Sequence, residues 1–194
     1  MTRFRKTAVA AVAVSALLLA PTAAYAHDGH HGVSASTKLS GMRWAHYSGE
    51  LTDFTSTGPD VFKGATATAY MMGLEGKSLF RLRVTGIDKK AAGGKYGVHL
   101  HEGTCNAKDP LEAGNHYNVT WNTGIPVISN KTEVWLDLGV NSDGNALSTA
   151  TVPFIPEGNR SIVLHALPTD PSNGKAGDRL ACLPFTIKSL PSSS

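Results

Sequence analysis

The 194-residue chain has no apolar run long enough to cross a membrane as a helix. Its longest hydrophobic stretch, Ala8 to Ala20, is far short of the roughly 20 residues a bilayer requires, and no second one follows. Cysteine is scarce too, with only Cys105 and Cys182 present. Charge of one sign is lacking once the N-terminus is set aside. Arg3, Arg5 and Lys6 precede the apolar stretch, and Pro21 and Ala24-Tyr25-Ala26 follow it, which is the pattern of a cleavable secretory leader over residues 1–26. No cysteine stands at that cleavage point, which argues against a lipid anchor. The leader holds three of the 18 Lys and Arg and no acid. The remaining 168 residues carry 15 basic against 15 acidic side chains, and no nucleic-acid or anionic-membrane partner is indicated. There is also no convincing amphipathic helix and no internal repeat.

What is present is a series of short runs divided by Gly, Pro, Asn and Asp. Candidate strands cover 42–51, 61–73, 78–87, 95–101, 115–120, 132–139, 145–154, 161–167 and 180–188. Alternation is clear in Thr66-Ala67-Thr68-Ala69-Tyr70-Met71 and in Phe80-Arg81-Leu82-Arg83-Val84. Asp143-Gly144 predicts a hairpin turn. Eight or nine strands without helices give an all-β expectation, an antiparallel sandwich or Greek-key barrel. The exported chain divides into a His-containing tail at 27–38, one domain at 39–188 and a frayed end at 189–194. His27, His30 and His31 in the tail could bind metal loosely, or could be incidental to a flexible segment. In an oxidising compartment the two cysteines read as a disulfide rather than two buried thiols. Closing a loop of 77 residues is worth roughly 4–5 kcal/mol in the chain-entropy account. Three Asn-x-Ser/Thr triplets begin at Asn118, Asn130 and Asn159, and are plausible as chance in a chain of this composition.

The histidines carry the chemistry. In Gly97-Val98-His99-Leu100-His101 the two imidazoles share one face of a strand, about 6–7 Å apart, close enough for one metal ion. His116 follows in Ala113-Gly114-Asn115-His116-Tyr117-Asn118, and His165 ends the apolar strand Ser161-Ile162-Val163-Leu164-His165. His46, between Trp44 and Tyr47, reads as an ordinary sheet residue. A single strand histidine is usually a hydrogen-bonded core residue; four of them, two at strand spacing, favour a shared metal.

Gly97-Val98-His99-Leu100-His101-Glu102, then Ala113-Gly114-Asn115-His116-Tyr117-Asn118, Val163-Leu164-His165-Ala166 and Gly177-Asp178-Arg179-Leu180-Ala181-Cys182 resemble, in order and context, the copper/zinc superoxide dismutase family. The resemblance spans about Ala65 to Ile187. It implies a Greek-key β-barrel in which His99, His101, His116 and His165 bind one copper, Cys105 pairs with Cys182, and Arg179 attracts and orients superoxide. It also implies that His116 bridges copper and zinc in zinc-containing members. In the family's cycle copper oxidises one superoxide to dioxygen and reduces a second to hydrogen peroxide, while the bridging histidine takes up and delivers a proton. Zinc has no redox chemistry and cannot replace copper there. Family members include dimers, so a homodimer is compatible with the resemblance.

The chain departs from the family's zinc-containing members in two places. No histidine lies between His116 and His165, and only thirteen residues, 166–178, separate His165 from Arg179. Both departures resemble the copper-only, extracellular branch, and zinc is not expected. The second nitrogen of His116 would then need another partner. Glu133 and Asp137 stand near the place of the family's zinc-ligand Asp. Glu133 is slightly preferred, and an exposed strand carboxylate is the alternative for either. The competing function is a copper-binding or copper-delivery protein on the same fold with little turnover. The His-rich tail favours that reading, and Arg179 favours the dismutase.

Overall fold

The computed structural model describes residues 41–54 and 60–190. The leader and the tail with His27, His30 and His31 lie outside these residues. Among the described residues there is no α-helix, only three short 3-10 turns and ten strands, and no helix is long and apolar enough to cross a membrane.

The strands are β1 (Arg43–Glu50), β2 (Thr52–Asp53), β3 (Thr66–Leu74), β4 (Lys77–Thr85), β5 (Lys95–Tyr96), β6 (Val98–His101), β7 (Leu138–Gly139), β8 (Ala146–Val152), β9 (Gly158–His165) and β10 (Arg179–Ser189). Antiparallel pairing runs in the order β6-β9-β10-β1-β3-β4-β8, with β2 beside β10 and a small second pair, β5-β7. The sheet is curled and all-β, as in the dismutase barrel.

The β3–β4 hairpin shows why the chain folds this way. Ala67, Ala69 and Met71 alternate inward on β3 against Val84, Leu82 and Phe80 on β4, so two rungs set an alanine against a larger side chain and the third sets Met71 against Phe80. Burying Phe80, Leu82 and Val84 contributes about 1.5–3 kcal/mol each. The two-residue turn uses Glu75 and Gly76, both at positive φ, the geometry that matches strand twist. His46 is exposed on β1 and stacks on Tyr70, with centroids 4.6 Å apart, as a sheet residue would.

Three expectations need correction. Residues 115–120 do not form a regular strand. They make isolated bridges, His101 to His116 and Asn118 to Glu133, before the Asn118 side chain accepts from the Thr120 amide and hydroxyl and turns the chain. Residues 61–64 form a turn, so β3 starts only at Thr66. The Asp143-Gly144 turn exists, with Gly144 at φ 74, but it does not close a hairpin. Its flanking strands separate, β7 to β5 and β8 to β4, and the Gly144 carbonyl accepts from Ile87 instead.

β6 lies between β9 and the extended segment 133–137. Leu100 donates to Val134 and Leu136 donates to Val98, so both faces of β6 are buried. Across β9 and β10, His165 is the cross-strand partner of Arg179, next to a register irregularity at Arg179 and Ala181. That arrangement brings β6, the end of β9 and the start of β10 to one place.

Candidate metal centre

His99, His101, His116 and His165 converge, each offering one nitrogen within 4.8 Å of the others. His99, His101 and His165 are buried and His116 is partly exposed. Burial holds the imidazoles of His99 and His101 far below the ordinary histidine range, with the neighbouring imidazoles adding to the effect, and lowers His165 to about 4. These three rings are therefore neutral at pH 7.

Their hydrogen bonds settle which nitrogen is bare. His101 Nδ1 meets the Gly114 carbonyl at 3.0 Å, and His165 Nδ1 meets the Gly177 carbonyl at 3.1 Å. A carbonyl only accepts, so each Nδ1 carries the hydrogen and each Nε2 keeps its lone pair. Those two Nε2 atoms face each other at 3.2 Å. Two buried lone pairs at that distance repel unless a cation lies between them. His99 Nδ1 is likewise buried without a hydrogen-bond partner, an arrangement that costs about 1–3 kcal/mol unless it binds something. The donor set fits a metal that prefers imidazole nitrogen, copper among them.

His116 Nδ1 lies 3.1 Å from Glu133 Oε2. Glu133 is 1 % exposed. Trp135 Nε1 donates to the same oxygen at 2.9 Å, and Asn118 Nδ2 donates to the other at 3.0 Å. Burial alone would raise this carboxyl, but the donors His116, Trp135 and Asn118 outweigh it and hold it below the usual range. Of the two carboxylates named from the sequence, Glu133 touches His116. Asp137 serves another ligand: it accepts from the Thr169 hydroxyl, and Thr169 Oγ1 is 2.8 Å from His99 Nε2.

Arg179 donates through one terminal nitrogen to the Pro110 carbonyl and through the other to the Gly114 carbonyl. Cys105 and Cys182 form a disulfide, with Cα atoms 5.8 Å apart, which ties the loop bearing those carbonyls to β10. Arg179 lines an open cleft of about 330 Å³ with His116, His165 and Lys175, and among the described residues no carboxylate lines it. A small anion entering it meets two cationic side chains beside the imidazole cluster.

The sequence did not single out Asn118 as a partner of Glu133, nor Trp135 or Thr169. Asn118 stood out as the last residue of the His116 motif and as the start of a glycosylation triplet, and the folded chain buries it and commits its amide to Val127 and Glu133.

Among known families, the model of the copper/zinc superoxide dismutases matches residues 65–183. A search of curated proteins finds no match. The match takes in the four histidines, both cysteines and Arg179, on a curled antiparallel sheet of the kind the family uses. The chain belongs to the copper/zinc superoxide dismutase family.

Proposed function

We propose that this protein is an exported, copper-dependent superoxide dismutase that works without zinc, converting superoxide to dioxygen and hydrogen peroxide in the manner of the family's copper-only extracellular branch. The observation that carries this reading is the contact between His116 Nδ1 and the buried Glu133 carboxylate. In zinc-containing members the histidine at this position bridges to zinc; here an anionic, hydrogen-bonded side chain meets its second nitrogen.

Copper bound by His99, His101, His116 and His165 supplies the one-electron redox chemistry. The chain supplies the rest. Glu133 fixes the hydrogen of His116 on Nδ1, so Nε2 is the atom that can accept and return a proton. Arg179 has five N–H donors, and its two carbonyl contacts leave others for an incoming anion. A copper store has no evident need for a guanidinium at the mouth of the site, which favours turnover over copper delivery.

Export rests on residues 1–26 acting as a removable leader, with residues 27–38 a tail before the domain at 39–188. The disulfide suits an oxidising compartment. Replacing Glu133 by Gln tests the reading. Activity of the copper-loaded variant should fall and change its pH profile between pH 5 and 9, while zinc added to wild type should leave turnover unchanged. An unaltered profile in the variant, or stimulation of wild type by zinc, contradicts it.

A further inference from the structure

We propose that Thr169 is a positioning residue for His99: its hydroxyl fixes the tautomer that turns the Nδ1 lone pair of His99 toward the other three imidazoles. The inference rests on the four histidines forming a metal site, and it concerns an atom that none of the observations above assigns.

The geometry admits one arrangement of hydrogens. Thr169 Oγ1 lies 2.7 Å from Asp137 Oδ1 and 2.8 Å from His99 Nε2. The hydroxyl has a single hydrogen, and a carboxylate can only accept. That hydrogen therefore goes to Asp137, and Oγ1 presents a lone pair to the ring. His99 Nε2 must donate to it, so the hydrogen of the neutral ring sits on Nε2 and Nδ1 is bare. This is the atom found buried without a partner. Asp137 does not do this alone, because its oxygen is 4.0 Å from His99 Nε2, beyond hydrogen-bond reach. The threonine is the link.

His99 is thereby the exception among the four. His101 and His165 carry their hydrogens on Nδ1 against carbonyls, and His116 against Glu133, so all three offer Nε2. His99 is held by its far nitrogen and offers Nδ1. Two constraints keep Thr169 in place. Its own amide lies 3.3 Å from Asp137 Oδ2, while Asp137 Oδ1 also accepts from the Val98 amide at 3.2 Å, fixing the carboxylate to β6. At Gly97 an added Cβ would stand 2.8 Å from Thr169 Oγ1 and 2.5 Å from Ala176 Cβ, so the absence of a side chain there lets the loop 166–178 close over the strand. Through Thr169 the short loop between His165 and Arg179 reaches a ligand carried on β6.

The test uses the oxidised, metal-free protein, so it does not depend on turnover. Long-range nitrogen NMR of the imidazoles near pH 7.5 reads each tautomer directly. Wild type should show His99 protonated on Nε2. Thr169→Val should lose that preference and populate the other tautomer, and should bind Cu(II) ten- to a hundredfold more weakly, the range for loss of an outer partner of a ligating histidine. Thr169→Ser should restore both. Should Thr169→Val fail to fold, Asp137→Ala replaces it: the threonine hydrogen is then free to turn toward Nε2, and the tautomer should shift in the same way. Protonation of His99 on Nδ1 in wild type, or an unchanged tautomer in the variant that folds, overturns the proposal. Copper binding without dismutase turnover would sink the functional reading and leave this one intact.

Discussion

His101 and Arg179 donate to the same acceptor, the carbonyl of Gly114. One oxygen thus fixes the tautomer of an imidazole in the cluster and holds the guanidinium that faces the cleft. Gly114 adopts φ 70, ψ −158, a region open essentially to glycine alone and costing other residues about 1–3 kcal/mol. The nearest atom to an added Cβ is the Gly103 nitrogen at 3.4 Å, so backbone strain rather than a clash is the penalty. Gly114→Ala should lower stability by about that amount in chemical denaturation, and should weaken copper binding and superoxide capture together. Loss of one without the other would show that the shared carbonyl does not couple them.

Arg179→Lys should not rescue Arg179→Ala. A lysine keeps the charge but cannot span the Pro110 and Gly114 carbonyls with one planar group. We expect both variants to lose about tenfold or more in kcat/KM for superoxide, with Arg179→Ala also showing a shallower dependence on ionic strength, since steering of an anion by a fixed charge is screened by salt. Stopped-flow rates across a salt series check this.

The strands that alternate most cleanly, β3 and β4, were the most legible, because period-two patterning is a direct consequence of one buried face. The His-x-His pair on β6 and the cysteine pair were legible for similar reasons: strand geometry and redox chemistry constrain them locally. The segment 115–120 was not: Tyr117 and Val119 still donate to neighbouring backbone, but the Asn118 side chain then takes the Thr120 amide and turns the chain. Thr169 was invisible in the sequence. Its role depends on a loop from residues 166–178 meeting Asp137 and His99, three pieces of chain far apart in sequence, and nothing local marks it. Glu133 and Asp137 could be named as a pair with only a slight preference for Glu133, since burial and partners are tertiary properties.

The metal-free protein should lose stability as pH falls below about 6.5. His165 is depressed to about 4 in the folded state, so above the unfolded value it imposes no penalty. Between about 6.5 and 4 the unfolded chain takes up a proton that the folded chain refuses. The loss from this group alone approaches about 3 kcal/mol by pH 4, and buried His99 and His101 add in the same direction. Glu133, also depressed, extends the decline as pH falls through the carboxylate range. Thermal unfolding of apo-protein at pH 4, 5.5 and 7 measures the slope, and His165→Gln should flatten its upper part.

Opening the disulfide should act on the site as well as on stability. Cys105 and Cys182 are 77 residues apart, and removing such a bridge typically costs about 2–5 kcal/mol. Cys105→Ser should lower the unfolding midpoint accordingly. It should also loosen the loop whose carbonyls hold Arg179, so turnover per bound copper should fall under conditions where the variant is still folded.

The central claim is that one copper, and no zinc, makes the working site. It is tested by metal analysis of the oxidised protein together with superoxide turnover, wild type against His165→Ala. The account predicts about one copper per chain, negligible zinc, rapid turnover in wild type and none in the variant. Equimolar zinc bound alongside copper, or stoichiometric copper without turnover in wild type, would contradict it.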